Sequence, residues 1–131
     1  MVAPRDKYAE TLIRLAQSNR DIVVLDADLS TSTRTGKFGE KFPDRFFNMG
    51  ISEQDMVGPA AGFAAVGKVP FLSTFAIFFC RALEPFRQVV CYPNLPVKAV
   101  VSHQHRYGVH YRKVKEIIAS GALGRIHTVY G

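Results

Sequence analysis

The sequence has no apolar run approaching the roughly 18–20 residues that a membrane-spanning helix needs, which excludes such a span. Its first residues, Met-Val-Ala-Pro-Arg-Asp-Lys, lack the apolar centre of a secretory leader. Together these absences predict a soluble, cytoplasmic protein with no membrane partner. Cysteine is scarce as well. Cys80 and Cys91 fit no metal-ligand spacing and lie in apolar stretches, so both are expected to be free thiols behaving as small hydrophobes. Acidic residues are lacking in one region only: residues 103–131 carry 5 Lys+Arg against 1 Asp+Glu, whereas residues 1–102 carry 12 against 10. The formal net charge of +6 therefore sits mainly in the tail. No nucleic-acid motif accompanies it, and basic residues spaced along a helix ordinarily form a solvated face, so nucleic acid is not an expected partner. A phosphorylated small molecule suits the same charge.

What is present is enough for one core. A chain of 131 residues that is 47% hydrophobic buries a single sizeable core around one sheet, not two. Residues 6–18 place Tyr8, Leu12, Leu15 and Ala16 on one helical stripe. The continuous run Ile22-Val23-Val24-Leu25 reads as a strand buried on both faces, as in a parallel sheet. It leads into Asp26-Ala27-Asp28-Leu29-Ser30-Thr31-Ser32-Thr33, either a set of polar groups presented to a ligand at a strand's carboxyl end or simply turn-forming residues. A short helix over 36–42, a brief strand over 45–48, a helix over 53–66 and a strand over 69–73 follow. Pro59 predicts a kink or short break in the long helix. A further helix is expected over 81–92, with Leu83, Phe86, Val89 and Val90 buried, then a fourth strand over 97–102. The tail adds a helix over 108–120, stopped at Gly121, and a fifth strand over 126–130. Strands alternating with helices predict an α/β fold with a mostly parallel sheet.

The stretch Asn48-Met49-Gly50-Ile51-Ser52-Glu53-Gln54-Asp55-Met56 draws attention within this frame. Ser52 and Asp55 have the S-x-x-D spacing of a helix N-terminus, where hydroxyl and carboxylate satisfy orphan backbone N–H groups. Glu53 then lies in the first turn, just past a strand's carboxyl end, where open α/β sheets place ligands. An ordinary helix start accounts for the same residues. Phe75 and Phe78, three apart, share one face of a helical turn, as core residues or as walls of an aromatic pocket.

Five ordered runs resemble the pyrimidine-binding domain of transketolase, a thiamine-diphosphate enzyme, over residues 1–102. They are Leu25-Asp26-Ala27-Asp28-Leu29, Phe42-Pro43-Asp44-Arg45-Phe46, Gly50-Ile51-Ser52-Glu53-Gln54, Ser73-Thr74-Phe75-Ala76-Ile77-Phe78 and Tyr92-Pro93-Asn94-Leu95. The resemblance implies a truncated three-layer α/β domain of the pyrimidine-binding type, with helices on both faces of the sheet. It implies that Glu53 contacts the pyrimidine N1′ and drives the imino tautomer that removes the thiazolium C2 proton. Phe75 and Phe78 would pack on the aminopyrimidine ring. Asp28, Leu29 and Ile51 would lie near the cofactor, and Ser32 and His103 would contact a sugar-phosphate substrate. Burial and a helix N-terminus act on such a carboxylate in opposite senses. The resemblance also implies that magnesium and the diphosphate are held by a separate N-terminal subunit, and that the protein forms a homodimer.

Residues 103–131 depart from that pattern and resemble a fragment of glucose–fructose oxidoreductase-like dehydrogenases, without the G-x-G-x-x-G turn that nicotinamide chemistry needs. The tail is therefore expected to be a foreign helix–strand addition packed on the same sheet. His103, His105 and His110 lack a completing carboxylate or cysteine, so no metal site is expected there. Two functions stay open: a transketolase-type C-terminal subunit active only with its partner, or an inactive truncated or fused domain that self-associates or binds a partner. A phosphate- or nucleic-acid-binding module built on the tail is a third, marked by steep salt dependence.

Overall fold

The computed structural model describes residues 3–99 together with residues 113, 116–117 and 119–121. The chain divides into two compact units, Met1–Val101 and Ser102–Gly131. In the first, the elements in order are α1 (Pro4–Ser18), β1 (Ile22–Asp26), α2 (Ser30–Thr33), α3 (Gly36–Lys41), β2 (Phe46–Asn48), α4 (Glu53–Ala65), β3 (Val69–Ser73), α5 (Ala76–Phe79), α6 (Leu83–Phe86) and β4 (Lys98–Ala99). The strands form one wholly parallel sheet in the order β2-β1-β3-β4, with Val24 opposite Phe46 and Phe71, and Phe71 opposite Lys98.

All five residues of β1 are buried, and successive side chains serve opposite faces. Ile22 and Val24 join Leu12 and Ala16 of α1 and Phe38 of α3. Val23 and Leu25 join Met56, Val57, Ala60 and Ala61 of α4. Helices thus cover both faces, as a continuous apolar strand demands. Phe38 is fully enclosed, and Gly39 beside it is required by a close approach: a β-carbon there would lie 2.8 Å from Cδ1 of Phe46. Gly39→Ala is expected to cost roughly 1–3 kcal/mol through overpacking, read as a lower denaturant midpoint with an unchanged slope.

Several expectations are corrected by the packing. Leu15, placed on the buried stripe of α1, is 42% exposed; Ala9 is buried in its stead. Pro59 does not break α4, which runs uninterrupted to Ala65. The helix expected over 81–92 is instead a 3₁₀ turn (Cys80–Ala82), α6 and a π-helical turn (Arg87–Cys91). Because each change of winding rotates the following side chains, Leu83 and Val89 face outward while Val90 stays buried. Cys80 and Cys91 are free, but both are exposed rather than packed as small hydrophobes.

In the second unit, Lys113, Glu116, Ile117 and Ala119 have helical backbone, with Lys113 Nζ 3.1 Å from Glu116 Oε2. Gly121 follows at φ +74°, the left-handed conformation that ends many helices. The strand expected over 126–130, and His103, His105 and His110, lie outside the described residues. Among the described residues no helix is long and apolar enough to cross a membrane.

Candidate functional site

The strand order fixes where a ligand would sit. The connection from β1 leads outward to β2 and that from β3 outward to β4, so the topological switch point lies between β1 and β3. Open parallel sheets bind ligands in the crevice at the carboxyl ends of such strands. Here those ends are Asp26 and Ser73, which face each other across the ladder.

Asp26 is fully buried, and its carboxylate organises the loop that follows. It accepts hydrogen bonds from the Leu29 amide at 2.6 Å, Thr33 Oγ1 at 2.8 Å and Thr35 Oγ1 at 2.7 Å. Three donors replace the water that a buried carboxylate loses. The loop is thereby wound into the turn α2, and Asp28 is set in the left-handed region at φ 59°. Asn48, at the end of β2, clamps that turn: its Oδ1 accepts from the amides of Asp28 at 3.1 Å and Gly50 at 3.0 Å, and its Nδ2 donates to Asp28 Oδ1 at 3.2 Å.

Behind the crevice, the hydroxyl of half-buried Tyr8 lies 3.2 Å from Ser73 Oγ. Burial pushes the Tyr8 phenol above its ordinary value of 10, the Ser73 hydrogen bond opposes that rise, and the Asp26 charge adds to it. Folding therefore favours the neutral phenol. Above pH 10 the unfolded chain releases this proton while the folded chain keeps it, so stability falls with rising pH until the folded phenol also ionises. Tyr8→Phe is expected to flatten this alkaline loss, measured as the unfolding midpoint from pH 8 to 11.

Glu53 opens α4 and is only 4% exposed. Gly50, at φ +72°, makes the turn that delivers it. The expected side-chain cap does not form. Ser52 is the N-cap residue but makes no capping hydrogen bond; its carbonyl instead accepts from the Met56 amide at 3.0 Å. The chain beyond β3 supplies Phe75 and Phe78, whose rings stack at 5.7 Å and 27°. Phe75 is 44% exposed, so the pair is a wall and not part of the core. Thr74, between Ser73 and Phe75, keeps a buried hydroxyl oxygen with no hydrogen-bond partner.

Sequence reasoning missed Arg81. Its guanidinium Nη1 lies 3.5 Å from Glu53 Oε2 and its charge lies 5.3 Å from the centroid of the Phe78 ring. Its carbonyl accepts from Gln54 Nε2 at 2.9 Å, tying the turn to the start of α4. Sequence offered one signal, a lone cation three residues past Phe78.

Arg81 contacts both Glu53 and Phe78, and Phe75 joins them through Phe78. Asp28 belongs to the Asn48 clamp, and Leu29 is held through its amide on Asp26. Ile51 is 77% exposed, between the clamp and Glu53. Ser32 sits half-buried in α2, next to Thr33 of the Asp26 network. His103 lies outside the described residues. Among the described residues, no three or more His, Cys, Asp or Glu are grouped to hold a metal ion.

A buried carboxylate linked through Arg81 to a stacked aromatic pair suits a flat nitrogen heterocycle. Comparison with known proteins places the chain in a family. A protein named as a transketolase C-terminal section from Methanocaldococcus jannaschii is 52% identical over 100 residues, which are 76% of this chain and 32% of that protein. A 6-deoxy-6-sulfo-D-fructose transketolase subunit from Clostridium sp. strain MSTE9 is 39% identical over 99 residues, covering 75% of this chain and 31% of its own. A solved structure named as a split-gene transketolase in an inactive β4 tetramer superposes with a TM-score of 0.70 at 54% identity, covering 78% of this chain and 34% of that one. The chain thus spans about a third of the length of these relatives. The family match ends at residue 110, and these comparisons lend no support to the dehydrogenase resemblance of the tail. Residues 1–110 match the transketolase pyrimidine-binding domain, and the chain belongs to that family.

Proposed function

We propose that this chain contributes the aminopyrimidine half of a thiamine-diphosphate site for ketol transfer between sugar phosphates, working with a separate N-terminal subunit that holds the diphosphate and magnesium. The observation that carries this reading is the buried Glu53 carboxylate joined through Arg81 to the Phe75–Phe78 pair that follows the carboxyl end of β3. Thiamine diphosphate, when bound, supplies the nucleophilic carbon that accepts a two-carbon ketol unit. The task of Glu53 is to hold a proton against the pyrimidine ring nitrogen, and a carboxylate 4% exposed does so without competition from water. Phe75 and Phe78 bind the flat ring by stacking. Thr74 Oγ1 remains for a polar group of the bound molecule. Asp28, Leu29 and Ile51 line the cofactor side, ordered by Asp26 and Asn48. Ser32 and His103 are assigned to the sugar phosphate. The relatives named as a transketolase C-terminal section and as a transketolase subunit support a partial subunit in place of a self-sufficient enzyme.

The segments that carry the site residues also bear a set of exposed apolar side chains, Ile51, Phe75, Ile77 and Leu83. Together with the β4 state of the solved relative, it favours self-association when the partner is absent, with a homodimer as the smallest unit. The full chain is to be mixed with an N-terminal transketolase subunit, magnesium and thiamine diphosphate. Glu53-dependent tightening of cofactor binding, with ketol transfer, is the expected result. A mixture that binds the cofactor no better than the N-terminal subunit alone contradicts it.

A further inference from the structure

We propose that Arg81 is a positioning residue that occupies the pyrimidine subsite in the free chain and must leave it for the ring to enter. The inference rests on the reading of Glu53 given above. A guanidinium is flat, donates N–H groups in its own plane and lies readily on an aromatic face. An aminopyrimidine offers the same two features, in-plane polar nitrogens and a stackable face. Arg81 already makes both contacts: Nη1 faces Glu53 Oε2 at 3.5 Å, and the cation lies 5.3 Å from the Phe78 ring centroid. One side chain therefore covers the carboxylate and the ring that the heterocycle would use.

The contacts are built to be exchanged. At 3.5 Å the Arg81–Glu53 approach is longer than a good charge-assisted hydrogen bond of about 2.7–2.9 Å, so little is lost when it opens. Arg81 is 59% exposed on its side chain and swings into water without a desolvation cost, whereas Glu53 stays buried and needs a partner. The backbone of Arg81 does not have to move, since Gln54 holds its carbonyl. Arg81 thus keeps the carboxylate paired while the subsite is empty and sets how tightly the ring is taken. Apparent affinity falls in proportion to the fraction of molecules in which Arg81 is seated.

The test uses the full chain and the neutral probe 4-amino-5-hydroxymethyl-2-methylpyrimidine, titrated by NMR. Arg81→Met keeps the side-chain length and removes both the charge and the flat face. It is expected to bind the probe at least about fivefold more tightly than the wild type, the change for a subsite that Arg81 fills most of the time. Added salt weakens an ion pair that is part exposed, so wild-type affinity should rise with salt while that of Arg81→Met does not. In the wild type, the Arg81 Nε–Hε resonance should shift both on probe saturation and on Glu53→Gln. Equal or weaker probe binding by Arg81→Met, with a backbone spectrum otherwise like the wild type, overturns the role of Arg81 alone. Probe binding by Glu53→Gln as tight as the wild type, or no binding by any variant, overturns the pyrimidine reading and this inference with it.

Discussion

Glu53→Gln is expected to lower ketol transfer by the assembled complex by about 10²–10⁴-fold, the usual contribution of a positioned proton-transfer group. Glutamine keeps the shape and one carbonyl acceptor but takes no proton, so the loss falls on chemistry rather than on folding. The fold should tolerate the change. Only the Arg81 contact is lost, and Arg81 is 59% exposed, which places the pair near the surface range of about 0–1 kcal/mol. A carboxylate that is 4% exposed is costly to bury, and the neutral amide relieves part of that cost. A thermal midpoint near the wild-type value together with lost turnover is the expected pair of results. Turnover within a few-fold of wild type would remove Glu53 from the chemistry.

Asp26→Ala is expected to cost roughly 2–4 kcal/mol of stability, because it leaves donors buried without their acceptor. Leu29 N–H loses its partner outright, whereas Thr33 Oγ1 retains Leu29 O at 3.1 Å and the Thr33 and Thr35 hydroxyls retain each other at 2.9 Å. That partial rescue keeps the cost below the sum of three charged hydrogen bonds. Asp26→Asn, which retains one carbonyl acceptor, should lose less. The effect reaches the site as well. Releasing α2 loosens the turn at Asp28, so the amides of Leu29, Ser32 and Thr33 should exchange with solvent faster than those of β1. A loss under about 1 kcal/mol, without faster exchange in α2, would mean that Asp26 does not organise this edge.

How much of this was legible in the sequence follows from what each residue depends on. Ile22-Val23-Val24-Leu25 announced a doubly covered strand because an all-apolar run has only that outcome in a soluble sheet. Phe75 and Phe78 were readable as one face because their spacing fixes it locally. Glu53 was placed correctly at the start of α4, but the capping signal around it did not specify the hydrogen bonds, which depend on backbone angles at Ser52. Leu83 and Val89 were misjudged because helical periodicity presumes uniform winding, and the chain there passes through 3₁₀, α and π turns. Pro59 was overweighted in the same way, since packing kept α4 continuous. Asp26 stood in a polar loop with several candidate partners, and only the fold selects Thr33 and Thr35. Arg81 carried no pattern of its own; its meaning arises from a contact across 28 residues.

The central claim concerns where one ring nitrogen goes. A crystal structure of the chain assembled with an N-terminal transketolase subunit, magnesium and thiamine diphosphate measures it directly. The account predicts pyrimidine N1′ within hydrogen-bonding distance of a Glu53 carboxylate oxygen, about 2.6–3.2 Å, with Phe75 and Phe78 against the ring and Arg81 turned away. A cofactor bound with its pyrimidine away from Glu53, or a Glu53 still paired to Arg81 beneath a bound cofactor, would contradict it.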